Sequence, residues 1–349
     1  MSAPKADRGG VPLAAVFGCS GPRLTPAERR FFADTNPLGF ILFARNCIDA
    51  PQVRALVAEL REVVSRDSAP ILIDQEGGRV ARLKPPHWRA THPAARFADL
   101  ARRDRAGALE AVRLNHRLIA AELADLGITV DCAPVLDIPV AEADPIIGDR
   151  AFGTAELAAT LGRAACEGLM AGGVTPIIKH IPGHGRATVD SHRALPTVDT
   201  GVAELEATDF APFRALRDMP WAMTAHVVFR ALDPDRPATT SARVIGTAIR
   251  RTIGFSGVLL SDDLAMDALA GGFKDRAAAA IAAGCDIALH CTGTLADMRE
   301  VARGAGLVSS AAAARLTRAD AMVGRPAAPF DSVAATRRLA ALLEMAPAR

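Results

Sequence analysis

The feature that most constrains the fold is a set of eight short, almost wholly apolar runs that recur along the 349-residue chain. Within each run the apolar residues are consecutive and do not alternate with polar ones, which is typical of strands covered on both faces in a parallel sheet. We therefore predict eight buried parallel strands. The runs are Leu13–Gly18, Gly39–Ala44, Ala69–Asp74, Thr129–Leu136, Thr175–His180, Trp221–Val227, Gly257–Ser261 and Cys285–Leu289.

Stretches with helical periodicity separate these runs. The predicted helices are Pro26–Asp34, Pro51–Ser65, Leu109–Leu126, Ala155–Ala171, Val202–Arg217, Ala242–Thr252 and Lys274–Ala283. Alternating strands and helices predict a parallel α/β fold, and eight repeats favour a closed (β/α)8 TIM barrel over a doubly wound sheet. We expect the whole chain, 1–349, to form a single domain, with the barrel over about residues 12–304 and extra C-terminal closing helices over about 305–345.

Composition excludes several classes of partner. The 41 basic and 39 acidic side chains leave a net charge of only +2, too weak a field to indicate nucleic acid or a membrane surface. Tyrosine is absent, so the stacking platforms of single-stranded nucleic-acid binders are not expected. No run approaches the roughly 20 apolar residues of a membrane span. The short apolar stretch near the N-terminus is interpreted as the first strand and not as a signal peptide.

The cysteine pattern predicts buried free thiols, because no two of the residues form a C-x-x-C pair and most lie in apolar runs. A reducing, cytoplasmic location follows as the expected one. We also expect a monomer. The six residues are Cys19, Cys47, Cys132, Cys166, Cys285 and Cys291.

Charged residues and histidines stand at the ends of several predicted strands. Because the carboxyl ends of barrel strands meet at the catalytic rim, their coincidence predicts an active site there. Any one of them could instead cap a helix or satisfy a loop. The residues in question are Asp74, Lys179, His180, His226, Asp262 and His290.

Asp262 directly follows the apolar run that ends at Ser261. A carboxylate at the barrel mouth can attack an electrophilic carbon and leave again as a stable ester, which suits a covalent nucleophile. The structural alternative is a helix N-cap, a role that fits the neighbouring Asp263 better.

A long loop, residues 182–196, follows the fifth predicted strand, and ordered loops of this length are often functional. Asp190 and His192 are two residues apart, so an extended segment places them on one face. A carboxylate beside an imidazole raises its pKa and fixes its tautomer, as suits a general acid/base. The alternative is a metal site made of His180, His184, Asp190 and His192, although no H-E-x-x-H helix or cysteine pair supports it.

With these motifs assembled, the chain resembles glycoside hydrolase family 3, and specifically its short bacterial β-N-acetylglucosaminidases. The resemblance runs from about residue 12 to 300. It is carried by the segments Gly39–Phe43, Ile73–Arg82, Cys132–Asp137, Ile147–Gly153, Lys179–Gly185, Asp190–His192, Ala225–Val227 and Ser261–Met266. The chain departs from the family pattern at Ile181, where phenylalanine is common, and at Ala265, where serine or glycine is common.

The resemblance implies a retaining hydrolase of terminal β-linked N-acetylglucosamine, acting in cell-wall recycling on cytosolic muropeptides. It implies Asp262 as the nucleophile, His192 as the acid/base and Asp190 as the residue that orients His192. It also implies a set of sugar-binding residues: Asp74, Arg82, Arg150, Lys179 and His180. No cofactor or metal has a role in this chemistry. Transfer of the sugar to phosphate, as in a phosphorylase on the same scaffold, remains the alternative.

Overall fold

The computed structural model describes residues 10–191, 193–323, 327 and 329–344. Its centre is a closed barrel of eight parallel strands, which confirms the predicted (β/α)8 architecture. Neighbouring strands follow chain order around the ring, and the last strand closes it by pairing with the first, with Val16 aligned to Leu289. The strands are β1 (Leu13–Phe17), β2 (Pro37–Leu42), β3 (Ile71–Ile73), β4 (Val130–Asp131), β5 (Thr175–Ile181), β6 (Trp221–Thr224), β7 (Val258–Asp263) and β8 (Ile287–His290).

Helices connect successive strands and cover the outside of the barrel. They are α1 (Pro26–Thr35), α2 (Ala50–Val64), α3 (Ala94–Ala101), α4 (Arg105–Asp125), α5 (Ala155–Ala171), α6 (Val202–Ala207), α7 (Phe210–Ala215), α8 (Ala242–Val244), α9 (Phe273–Ala283), α10 (Leu295–Ala305), α11 (Ser310–Met322) and α12 (Ser332–Glu344). Helix α8 continues directly into wider π-helical turns over Ile245–Ile253. Two-stranded ribbons join Gln75–Gly77 to Val80–Ala81 and Thr197–Val198 to Val228–Phe229.

Local side-chain chemistry sets several helix boundaries that periodicity alone misplaced. Helix α4 begins at Arg105, four residues before the predicted start, because the Asp104 side chain accepts the Gly107 N–H at 2.9 Å and caps the helix. The predicted helix Val202–Arg217 is split into α6 and α7. Pro212 accounts for the split, since its ring clashes with a helical carbonyl four residues earlier, at Thr208.

Strand β4 is shorter than its apolar run, Thr129–Leu136, predicts. Pro134 lacks an N–H and cannot donate to the ladder. The chain nevertheless continues alongside β5, because the carbonyls of Ala133 and Pro134 accept the N–H groups of Ile177 at 3.1 Å and Lys179 at 3.2 Å. This irregular stretch leads to Asp137, which is buried below the rim of the barrel.

The two C-terminal helices are not equivalent. Val308 and helix α11 pack into the same apolar cluster as the barrel interior, which includes Ala14 and Val258. Helix α12 packs on the side of the barrel, where Leu339 joins the cluster formed by α4 and α5. Because α11 covers the end of the barrel at which the strands begin, the accessible end is the one at which they finish.

The cysteines are free, as predicted: five are buried and Cys47 is partly buried. No helix in the described part of the chain is long and apolar enough to cross a membrane.

Candidate active site

A cleft of about 260 Å³ opens at the C-terminal ends of the strands. This volume lies just below the roughly 300–1,000 Å³ typical of small-molecule sites. Six side chains that the sequence marks for catalysis or sugar binding line this one cleft: Asp74, Arg82, Arg150, Lys179, His180 and Asp262. Residues up to 188 positions apart in the sequence, the distance from Asp74 to Asp262, are therefore brought together by the barrel.

Asp262 lies at the end of β7, with its carboxylate in the cleft. One carboxylate oxygen, Oδ1, accepts the N–H of Asp263 at 2.8 Å, and the other, Oδ2, lies 4.0 Å from Nε2 of His180. Burial opposes ionisation of this carboxyl, but the neighbouring His180 and His226 and the Asp263 N–H outweigh it, so the pKa of Asp262 lies below its usual value. The side chain is thus an ionised carboxylate at neutral pH, the state that a nucleophile requires.

Asp263 has a different environment, although it is the next residue. Its Oδ1 accepts the backbone N–H groups of Ala265 at 3.0 Å and Cys291 at 3.1 Å. Burial raises the pKa of this carboxyl to about 6. Asp263 therefore fixes the turn that follows β7. It is not the helix N-cap that the sequence suggested, because the next helix begins only at Phe273, after Gly272.

A connected group of opposite charges forms the floor of the cleft. Asp74 accepts from Nζ of Lys179 at 2.8 Å and from Arg82 at 2.9 Å. Lys179 also lies 2.6 Å from Glu76, which holds Arg150 through two parallel hydrogen bonds of 2.8 Å each. Such bidentate pairs fix the guanidinium plane as well as its position.

The charge states of this group are firmly set. Burial works against ionisation of Asp74, yet the adjacent Lys179 and Arg82 hold its pKa far below the usual range. Glu76 has a lowered pKa for the same reason, with Lys179 and Arg150 as the compensating charges. The two carboxylates in turn keep Lys179 protonated despite its burial. Hydrogen-bond donors and acceptors are therefore in place before any substrate binds.

The loop after β5 is anchored to the cleft through Ser191. This residue is buried, and its Oγ lies 3.0 Å from Nε2 of His184. Its carbonyl accepts the N–H of Ala268, which lies in the segment that follows Asp262. His192 lies outside the described residues, so its role as acid/base and its pairing with Asp190 stay predictions.

Two of the strand-end histidines do not line the cleft. His226 and His290 are fully buried. The ring of His226 points between β7 and a neighbouring turn, with Nε2 at 3.0 Å from the carbonyl of Asp263 and Nδ1 at 2.7 Å from Thr239 Oγ1. A polar residue at a strand end can thus support the backbone of the site without contacting a substrate.

Comparison with known proteins places the fold and cleft in a family. Residues 15–320 match the glycosyl hydrolase family 3 N-terminal domain. The chain belongs to glycoside hydrolase family 3. The resemblance inferred from the motifs is thereby confirmed.

Similar proteins include two curated relatives of this family 3 enzyme. The beta-hexosaminidase of Alkalilimnicola ehrlichii is 39% identical over 79% of this chain and 80% of its own length. The beta-hexosaminidase of Methylococcus capsulatus is 38% identical over 79% of this chain and 82% of its own. Among solved structures, NagZ from Neisseria gonorrhoeae in complex with N-trifluoroacetyl-D-glucosamine has a TM-score of 0.85 and 33% identity, covering 95% of this chain and 98% of that one. The predicted enzyme class, a glycoside hydrolase of the β-hexosaminidase group, is confirmed.

The metal alternative has no supporting cluster in the part of the chain that the structure describes, which leaves out His192. Among the residues that the structure describes, no three or more histidine, cysteine, aspartate or glutamate side chains are grouped so that they could hold an ion. Within that part of the chain, His180 and His184 have protein partners instead, Asp137 and Ser191 respectively.

Sequence reasoning gave this family 3 enzyme no role for Glu76, although the side chain lines the cleft and connects Lys179 to Arg150. The sequence does contain an indication of this role. Glu76 is two residues after Asp74, and residues two apart in an extended segment share a face. A carboxylate on the same face as a predicted sugar-binding aspartate, in a cleft rich in cations, is a natural partner for those cations.

We expect Glu76→Gln to raise KM roughly tenfold and to lower the free energy of unfolding by about 2 kcal/mol or more. The substitution leaves Lys179 and Arg150 with less compensating charge in a buried site and loosens their positions. Steady-state kinetics and thermal unfolding measure the two effects. The matched control is Glu110→Gln, which breaks a bidentate pair with Arg338 on the exposed surface. An unchanged KM in Glu76→Gln would remove Glu76 from the binding machinery.

Proposed function

We propose that this family 3 enzyme hydrolyses terminal, non-reducing β-N-acetylglucosaminides with retention of configuration. The observation that carries the proposal is the ionised Asp262 carboxylate, held in a cleft whose fixed charges are suited to sugar hydroxyls. Two similar proteins are named beta-hexosaminidases, and a structural relative binds an N-acylated glucosamine derivative, N-trifluoroacetyl-D-glucosamine.

In the first step, the Asp262 carboxylate attacks the anomeric carbon as the bond to the leaving oxygen breaks. His192, protonated, gives its proton to that oxygen, and a glycosyl ester forms on Asp262. In the second step, neutral His192 takes a proton from water, the water oxygen attacks the anomeric carbon, and the carboxylate leaves. Asp190 orients the imidazole throughout. The Asp190–His192 pair thus replaces the second carboxylate that retaining enzymes usually carry.

The charged floor of the cleft supplies the binding groups. Asp74 can accept from sugar hydroxyls, while Lys179, Arg82 and Arg150 can donate to hydroxyls or to the acetamido oxygen. Each cation already has a carboxylate partner, either Asp74 or Glu76. The sugar therefore meets donors whose direction is set by the protein, which reduces the ordering that binding requires.

The natural substrate that we propose is a muropeptide in which N-acetylglucosamine is linked to anhydro-N-acetylmuramic acid, cleaved in the cytoplasm during cell-wall recycling. The motif resemblance supports this substrate. The six free thiols suit a reducing compartment. Phosphorolysis finds no support in the relatives described above, which are named as hexosaminidases.

Product analysis tests the proposal. With an aryl β-N-acetylglucosaminide, we expect the β anomer of the free sugar to appear first in a proton NMR time course, because two displacements restore the configuration. The matching aryl β-glucoside should react at least roughly 100-fold more slowly, since donors placed for the acetamido group would lose their partner. An α anomer at early times would contradict retention, and equal rates would contradict the sugar assignment.

A further inference from the structure

Asp137 is a buried carboxylate that the mechanism above does not use. It follows the irregular end of the β4 stretch, and its side chain is fully buried. Its Oδ1 accepts the backbone N–H of His184 at 2.7 Å and that of His180 at 3.1 Å. Its Oδ2 lies 2.6 Å from Nδ1 of the His180 ring. One carboxylate thus holds both the ring of His180 and the backbone on either side of the β5 end.

The charge state of Asp137 settles the direction of the hydrogen bond to the ring. Burial opposes its ionisation, but its contacts with the His180 ring and with the backbone N–H of His184 outweigh burial and lower the pKa of this carboxyl. An ionised carboxylate can only accept hydrogen bonds. At 2.6 Å, the Nδ1 atom of His180 must therefore carry the proton.

The other ring nitrogen of His180 faces the nucleophile. Its Nε2 lies 4.0 Å from Oδ2 of Asp262, too far for a direct hydrogen bond, and the ring lines the cleft. A sugar hydroxyl or the reacting carboxylate would therefore meet Nε2 and not Nδ1. Which atom carries the proton decides whether the cleft is offered a donor or an acceptor.

We propose that Asp137 is a positioning residue that keeps a proton on Nδ1 of His180. The ring is thereby held with its other nitrogen, Nε2, towards the nucleophile and the sugar. The contact between Nε2 and the sugar rests on the proposed function, whereas the position of the proton on Nδ1 does not. Asp137 acts through His180 and itself lies out of reach of a substrate.

The groups that surround the His180 ring agree with this arrangement. Asp137 and Asp262 face its two nitrogens from opposite sides. The ring of His184 lies 5.7 Å away between centroids, and burial, together with the proximity of His180, lowers the pKa of His184 to about 4, so it is neutral. Burial also lowers the pKa of His226, which interacts with Asp262. In this set, Asp137 is the group within hydrogen-bond distance of Nδ1.

Replacing Asp137 by asparagine should move the His180 ring proton from Nδ1 to Nε2, while the side chain at position 137 keeps its shape. Two backbone N–H groups, of His180 and His184, converge on Oδ1 and require an oxygen there. The asparagine NH₂ group must then occupy the Oδ2 position, opposite Nδ1. Because that group donates, Nδ1 must accept, and the ring proton is then carried by Nε2.

Nitrogen NMR of enzyme labelled with ¹⁵N-histidine, recorded without any substrate, tests the proposal. His180→Gln identifies the His180 signals by their loss. In the wild type we expect Nδ1 of His180 to have the shift of a protonated nitrogen at neutral pH, and in Asp137→Asn that of an unprotonated one. The matched control is Asp144→Asn, in the same loop, where Oδ1 accepts the Ile146 N–H at 2.9 Å and does not touch His180. Its spectrum should equal the wild type.

An unprotonated Nδ1 in the wild type overturns the proposal, and this result needs no variant to fold. A protonated Nδ1 in folded Asp137→Asn overturns it as well, because Asp137 would then be only structural. In kinetics, we expect Asp137→Asn to lower kcat/KM by about 10- to 100-fold, a loss of the size seen when the partner that orients a metal-binding histidine is removed. If the enzyme failed to cleave N-acetylglucosaminides at all, the NMR result would still decide the position of the proton.

Discussion

Asp262→Ala should abolish turnover while the protein still folds. The variant lacks the only atoms that form the proposed covalent bond, and removal of one nucleophile slows other enzymes by roughly 10⁴-fold or more in kcat. The fold should survive because the backbone hydrogen bond that the Asp262 side chain accepts comes from the adjacent residue, and the turn after β7 is held by Asp263 instead. Steady-state kinetics with an aryl β-N-acetylglucosaminide, alongside circular dichroism, measures both expectations.

A control variant and a rescue experiment test this prediction further. Asp267→Asn alters an exposed aspartate in the same segment and should keep wild-type activity. Azide added to Asp262→Ala should restore some turnover and yield the α-glycosyl azide, because a small anion can attack from the space that the carboxylate occupied. If Asp262→Ala kept more than a small fraction of the wild-type rate, the nucleophile would have to be sought elsewhere, first at Asp263.

His192→Ala should slow poor leaving groups far more than good ones. A disaccharide oxygen must be protonated as it leaves, and loss of a general acid typically costs 10²–10⁴-fold, whereas a dinitrophenolate needs almost no help. We expect a loss of that size in kcat/KM for the disaccharide and only a few-fold loss in the first step for the dinitrophenyl glycoside. Asp190→Ala should show a milder version of the same pattern, because Asp190 only orients the imidazole.

The same two substrates also show whether His192 has a different role. Equal losses for good and poor leaving groups would mean that His192 binds the sugar and that another residue supplies the proton. His184 is poorly suited to that task, because burial, assisted by the neighbouring His180, lowers its pKa to about 4. Kinetics of His184→Gln with the same two substrates tests whether His184 supplies the proton. The contact between His184 and Ser191 predicts instead that His184 holds the loop in place.

The barrel was predictable because its strands are consecutive apolar runs, a pattern that few folds other than a parallel sheet can bury. The runs locate all eight strands, yet they overestimate β4, where Pro134 interrupts the ladder from within the run. Helix ends depended on single side chains: Asp104 lengthened α4, and Pro212 divided the helix predicted over Val202–Arg217. Periodicity averages over several residues and does not register such single contacts.

The cleft was predictable only in part. Asp74, Lys179 and Asp262 end strands or directly follow them, so the rule that barrel strands finish at the active site located them. Glu76 was missed although it shares a face with Asp74, because its partners Lys179 and Arg150 are distant in sequence. Asp137 acts through His180, which is also distant in sequence, and no local pattern indicates that contact. His226 shows the opposite error, since it ends a strand as the others do but contacts the backbone of Asp263 and not the cleft.

Trapping the covalent intermediate is the most direct test of Asp262 as the nucleophile of a retaining β-N-acetylglucosaminidase. A 5-fluoro-β-N-acetylglucosaminyl fluoride carries a good leaving group and slows the second step, so the glycosyl ester should accumulate. Digestion and tandem mass spectrometry then locate the added sugar. We expect a single label on Asp262, absent from Asp262→Ala. A label on Asp263 or any other residue, or an enzyme that turns the reagent over without ever becoming labelled, would contradict it.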